Sequence, residues 1–270
     1  MTRRRVMNIL IKEWQVLFTD LNSVLTSTLL PLLIVGQLIL YIWLVVHFGG
    51  QTILGQQVFQ TAMEKLRQAV PAVAGLPVGE QFLVLLLNQF TFFLLLIPTM
   101  VAISFATFSI VEEKLSGSLE ALLATPVATW ELLLGKTLAG ALPALVVTWL
   151  CCGVFLLVVA GVGWGHLSHL VLTPSWFLSL FLLTPAVAVL SFMLGVMGSS
   201  RARDVKSAQN MALAIIFPVL ALIGVQVTGV VWFTPLLTVA LALGIAVVDV
   251  IVLRMAVLLF QRESIVIRWR

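Results

Sequence analysis

Apolar stretches long enough to cross a lipid bilayer recur along this chain, near residues 27–48, 83–110, 137–160, 174–197, 211–231 and 235–260. About 20 apolar residues suffice for one helical crossing of the hydrocarbon core. The remaining composition agrees: of 270 residues, 61% are apolar and only 10% charged. A globular exterior cannot be solvated by so few charges, so lipid must be the solvent over most of it. The expected fold is an all-α polytopic membrane protein with six transmembrane helices. Pro31, Pro98, Pro143, Pro185 and Pro218 fall inside these stretches. Embedded helices tolerate proline because neighbours can satisfy the carbonyl it frees. Pro235 suits the first turn of the last span, where its missing N–H costs nothing.

The distribution of Lys and Arg sets the expected orientation. One side collects twelve: four before the first span, two in the 111–136 loop, three between spans four and five, and three in the tail. The other side has Lys65 and Arg67, and Arg254 lies within the last span. Both termini are therefore expected in the cytoplasm, with the protein in the cell membrane. A cleavable signal peptide is not expected, because Lys12, Glu13 and Asp20 interrupt the run after Arg3, Arg4 and Arg5.

Residues 1–26 read as an amphipathic helix lying in the membrane surface. Arg5, Asn8, Lys12, Gln15 and Thr19 make a polar stripe, and Met7, Leu10, Trp14 and Leu17 an apolar one. The outer loop 49–81 contains a second amphipathic stretch with Val58, Phe59, Ala62, Met63, Leu66 and Val70, stopped by Pro71. Cys151 and Cys152 sit together in an apolar run and predict buried thiols, not a disulfide.

Residues 112–136 read EEKLSGSLEALLATPVATWELLLGK. Leu134-Gly135-Lys136-Thr137 ends like a phosphate-binding loop, but Trp130 occupies the position of the required first glycine. Leu115-Ser116-Gly117-Ser118 echoes a nucleotide-contacting motif without its second glycine. No nucleotide site is expected. Leu119, Leu122 and Leu123 share one helical face, rimmed by Glu112, Glu113 and Glu120. Such an apolar ridge can dock in a groove of a soluble partner; the competing reading is a helix lying back on its own bundle.

As a whole, this stretch resembles the loop between the second and third spans of ABC-2 type transporter permeases. The matching residues are Glu112, Glu113, Gly117, Ser118, Leu119, Glu120, Leu122, Leu123, Thr125, Pro126, Glu131, Gly135 and Lys136, with serine at 118 where threonine is more usual. The N-terminal helix, the 199–210 loop before Phe217-Pro218, and Phe260-Gln261-Arg262-Glu263 are similar to other parts of that family. The resemblance implies one transmembrane domain over 1–270, with a coupling helix in 111–136. It further implies a permease subunit of an ATP-binding cassette exporter. Two copies of a cytoplasmic ABC ATPase and a second or sister permease would be its partners, alongside membrane lipid and without nucleic acid. The partner ATPase, not this chain, would bind ATP and Mg. Glu112, Glu113, Gly117, Leu119, Glu120, Leu122, Leu123, Pro126 and Glu131 would couple to it. Sparse polarity in the spans points to amphipathic or lipid-like cargo.

Asn88, Gln89, Thr91, Ser104 and Thr107 make the second span more polar than its neighbours, marking it as a pathway or dimer wall, and Asp249 joins them as an intramembrane carboxylate. Asp249 and Arg254 are five residues apart, about 140° around a helix, so they pair poorly. Interhelical hydrogen bonding is the ordinary alternative for these polar groups. His166 and His169 have ligand-like spacing, yet no carboxylate or cysteine lies near them in sequence, and no metal site is expected. An ion-coupled secondary transporter would show repeated halves, and none is visible. An intramembrane metalloenzyme would need histidines beside Glu112 and Glu113, whereas His47, His166 and His169 all fall on the opposite side.

Overall fold

The computed structural model describes residues 2–19, 21–49, 57–115, 128–201, 217 and 234–259. The described residues are helical, with no strand among them. The helices are α1 (Thr2–Thr19), α2 (Leu21–Leu44), α3 (Gln57–Ala69), α4 (Val78–Asn88), α5 (Phe90–Leu115), α6 (Thr129–Val159), α7 (Ser168–Val171), α8 (Pro174–Leu178), α9 (Thr184–Arg201) and α10 (Pro235–Leu259). Five stretches are long and apolar enough to cross a membrane: Ser27–Phe48, Val78–Thr107, Thr129–Val171, Pro174–Ser199 and Pro235–Leu258. These correspond to five of the six expected spans. The expected crossing at 211–231 lies outside the described residues.

Two boundaries differ from expectation. The third crossing begins at Thr129, eight residues before the expected 137, because Glu131 and Lys136 find partners in Arg5 and Glu13 and need not lie in a loop. The 31-residue α6 is about 46 Å long at 1.5 Å per residue, against roughly 30 Å of hydrocarbon. The second crossing begins at Val78 and is broken at Gln89 into α4 and α5. It is also the most enclosed: three-quarters of its apolar window (75%) is buried, against 22% for the first and last crossings. The α4–α5 crossing is therefore the central post, with α2 and α10 at the periphery.

Around that post, Phe90 of α5 stacks on Phe155 of α6, ring centroids 3.8 Å apart. α9 runs beside α5 in the same direction. Thr184 Oγ1 lies 3.4 Å from the Leu94 carbonyl, Ser191 Oγ is 3.3 Å from Thr99 Oγ1, and Gly195 abuts Ala106 and Ile103. A Cβ at Gly195 would stand 2.8 Å from that of Ala106, so only glycine allows this approach. Proline explains one of these contacts. Pro98 has no N–H for the Leu94 carbonyl one turn earlier, and Thr184 Oγ1 packs beside that carbonyl. Pro185 likewise follows a π-helical turn at Ser179–Leu183, where the Thr184 hydroxyl donates to the Ser179 carbonyl at 2.6 Å.

α3 and the 3-10 turn Pro71–Gly75 cover the end of the bundle remote from α1. Ala62, Met63 and Leu66 of α3 are buried, as the amphipathic pattern predicts. Arg67 Nε donates to Gln81 Oε1 at 2.8 Å, and Gln81 Nε2 donates to the Leu76 carbonyl at 2.7 Å, fastening this cover to α4. Cys151 and Cys152 are free and buried.

Candidate functional site

α1 carries the most informative cluster of charged groups. At about 100° per residue, Val6, Ile9, Leu10, Glu13 and Leu17 occupy one sector of this helix. The structure buries Leu10 and Glu13 and half-buries the other three. Met7, Ile11 and Phe18 occupy a second sector and are exposed, and Asn8, Lys12, Gln15 and Thr19 form a third. The expected single apolar stripe is thus divided in two. Met7 leaves it, because the face centred near Leu10 and Glu13 docks on protein and Met7 points away.

That docked face runs along the first turns of α6. Arg5 Nη1 is 3.5 Å from Glu131 Oε2. Glu131 is only 3% exposed, and the same oxygen accepts the Ala128 N–H at 3.3 Å, capping the start of α6. One turn along, Gly135 lies against Ile9, where a Cβ would come 2.8 Å from Ile9 Cγ2. Next, Lys136 Nζ stands 3.2 Å from Glu13 Oε1. Finally, Trp14 Nε1 donates to the Ala139 carbonyl at 2.9 Å. Pro143 creates that last acceptor, because it supplies no N–H to residue 139. The indole of α1 occupies a position that an ordinary helix would have closed.

The Glu13–Lys136 pair also reaches α5. Lys136 Nζ donates to Ser109 Oγ at 3.0 Å, and Ser109 Oγ donates to Glu13 Oε2 at 3.1 Å. Lys12 Nζ approaches Glu13 Oε1 at 3.1 Å from the exposed side. Burial alone would raise the Glu13 carboxyl, but the charges of Lys136 and Lys12 and their hydrogen bonds outweigh it. The net effect holds Glu13 below its ordinary value of 4.5. A carboxylate and an ammonium, each less than a tenth exposed, therefore join three helices. Ser109 precedes the 116–127 segment and Lys136 follows it, so α1 is fastened to both of its flanks.

Of the residues singled out in the sequence, Glu112 and Glu113 end α5, and their side chains lie outside the described residues. Gly117, Leu119, Glu120, Leu122, Leu123 and Pro126 lie outside them entirely. Glu131 is described, and its visible contacts hold α1 and cap α6. Sequence reasoning missed Glu13, Ser109 and the Trp14 bond. The available signal was a carboxylate inside the apolar spacing of Leu10 and Leu17, and a proline four residues beyond Ala139.

The other candidates are dispersed. Asn88 and Gln89 lie at the α4–α5 break, half-buried, and Ser104 is half-buried further along α5. Thr91 belongs to α5, with its side chain outside the described residues. Asp249 shares the protein-facing side of α10 with Thr238, Ala242, Val252 and Ala256, all four of which are buried. One of its oxygens is enclosed without a hydrogen-bond partner among the described residues. His166 meets a carboxylate distant in sequence, with Nε2 3.9 Å from Glu80 Oε1, and its Nδ1 faces the Gly163 carbonyl at 3.1 Å. Among the described residues no three or more His, Cys, Asp or Glu side chains gather as a metal site.

A family model described as "ABC-2 family transporter protein" matches residues 7–248. No curated protein and no solved structure matches the chain.

Proposed function

The chain belongs to the ABC-2 transporter family, and from that membership we propose that it is the transmembrane permease subunit of an ATP-binding cassette exporter. A separate cytoplasmic ATPase, two copies to each pair of permeases, drives it. Permeases of this family generally work with such a partner. The stretch Glu112–Glu131 forms the docking element, and the termini face the cytoplasm. The cargo is an amphipathic or lipid-like molecule moved outward.

The observation that supports this reading most directly is the junction of α1, α5 and α6 through Glu13, Ser109 and Lys136. A docking element transmits force only if its flanks are held. Closure of the ATPases would push on the 116–127 segment, and a rigid junction would pass the displacement into two crossings together. The energy comes from the differential affinity of the ATPases for nucleotide in the two states.

Co-expression with an ABC ATPase encoded beside it tests the proposal. The pair should co-purify and hydrolyse ATP, whereas the permease alone should show none. Glu120→Lys reverses a charge beside the leucine ridge, and Leu123→Asp places one on it. Both should reach normal membrane levels, release the ATPase and abolish transport. The coupling assignment falls if both variants transport normally with the ATPase bound.

A further inference from the structure

The bundle contains a second polar locus, remote from the α1 junction and built from neutral groups. α9 and α5 run in the same direction, with Thr184 opposite Leu94, Ser191 opposite Thr99, and Gly195 opposite Ala106 and Ile103. This register differs by about 90 positions throughout. Carried one turn beyond Thr184, it sets Ser179 level with Gln89. An ordinary helix would rotate Ser179 away from the face that Thr184 presents to α5. The π-helical turn Ser179–Leu183 prevents this, because five residues then complete roughly one turn. The bond from the Thr184 hydroxyl to the Ser179 carbonyl, 2.6 Å long, records that alignment. Gln89 is the residue at which the central post breaks between α4 and α5.

Three polar atoms at this level are enclosed and have no hydrogen-bond partner among the described residues: Gln89 Oε1, Ser179 Oγ and Trp176 Nε1. Ser179 is 0% exposed, and Trp176, one turn before it, is 3%. Isolated polar atoms enclosed in an apolar bundle are a standing cost and call for a partner. Here Gln89 and Ser179 stand level in register where both helices depart from regular geometry, and Trp176 lies one turn before Ser179. Their chemistry defines that partner. An indole N–H donates, a hydroxyl donates or accepts, and an amide offers either end. No charged residue lies in α8, the Ser179–Leu183 turn, or α5 before Glu112. The complement is a neutral group that both donates and accepts.

We propose that Gln89, Ser179 and Trp176 form a membrane-embedded binding site for the uncharged hydroxyl-bearing head of a lipid-like molecule. The site deepens the permease reading and rests on it for the cargo. The flanking irregular turns let the two helices part, because their backbone hydrogen bonds are already displaced from the regular ladder. Water shares the hydroxyl chemistry, so the test must separate the two guests.

The full chain, purified and placed in phosphatidylcholine nanodiscs, is exposed to a monoacylglycerol bearing a diazirine on the first carbons of its acyl chain, next to the head, irradiated, and digested. Labelling should map around residues 86–94 and 176–184. Excess unlabelled monoacylglycerol should compete, whereas an alkyl ammonium or alkyl sulfate of equal chain length should not. Ser179→Ala and Gln89→Leu should each weaken labelling roughly 3- to 10-fold, the effect of one lost hydrogen bond. Monodispersity on size exclusion checks that both variants fold, and Trp176→Phe gives a third arm that keeps the ring. Equal competition by the charged amphiphiles would overturn the proposal. So would unchanged labelling in all three variants together with raised thermal stability, which identifies water or a vacant polar pocket. ATPase co-purification is read separately, so failure of the permease reading is distinguishable from failure of this site.

Discussion

Replacing Lys136 by methionine removes the ammonium from the junction while keeping most of its aliphatic volume. Glu13 would then retain the Ser109 hydroxyl and, of its two cations, Lys12, which approaches from solvent and is about half exposed. A carboxylate less than a tenth exposed would lose its enclosed counter-charge, and breaking one side of such a pair costs about 3–5 kcal/mol. Glu13→Gln makes the reciprocal error, taking the Glu13 carboxylate away from the Lys136 ammonium, which is 2% exposed. The double variant Glu13→Gln/Lys136→Met removes both charges. Replacing a whole buried pair by groups of similar volume is often nearly neutral. The two single losses should therefore fail to add, the double variant costing far less than their sum in the double-mutant cycle. The assay is the fraction of detergent-solubilised protein that remains monodisperse after heating, taken as a function of temperature. Each single variant should melt well below the parent, and the double variant should return most of the way. Additive losses would show that the two groups do not depend on each other and would refute the junction as a coupled unit.

Three further outcomes follow from the same geometry. Glu13 is held below its ordinary value, so its contribution to stability is complete above about pH 4.5 and is lost as pH falls through the lowered value; melting should be flat near neutrality and drop only in acid. Trp14→Phe should lower the melting temperature by removing the donor to the Ala139 carbonyl, about 1 kcal/mol. Pro143→Ala should blunt that effect by closing the same carbonyl within α6, and equal losses with and without Pro143 would contradict the assignment. With Cys151 and Cys152 replaced, a single cysteine at Gln56 or Ser168 should react with an impermeant maleimide in intact cells, and one at Ser207 or Ser264 only after permeabilisation; outside labelling at Ser207 would break the six-crossing topology.

The apolar runs made most of the architecture legible because hydrocarbon leaves the backbone few choices. A chain that cannot bond to solvent must close its own hydrogen bonds, and length then decides which stretches cross. What periodicity could not supply was the identity of the surface each apolar face meets. On α1, Met7 and Leu10 are both apolar and adjacent in register, yet one is exposed and the other buried against protein. Lipid and a neighbouring helix reward the same residues, so spacing alone cannot separate them. Charges and prolines separate them, because neither is tolerated against lipid without a partner. Glu13 falls among Leu10 and Leu17, a position that makes sense only if a cation waits opposite, and Lys136 lies eight residues inside the helix that supplies it. Pro143 vacates a carbonyl that lipid could not satisfy and that Trp14 does. In a chain with so few charges, Glu13, Lys136 and Pro143 thus each report a specific contact. Asp249 fits the same pattern: it interrupts the protein-facing side of α10 with one enclosed oxygen that has no partner among the described residues. By that reasoning its complement is a polar group supplied from within the bundle, and lipid cannot be what it faces.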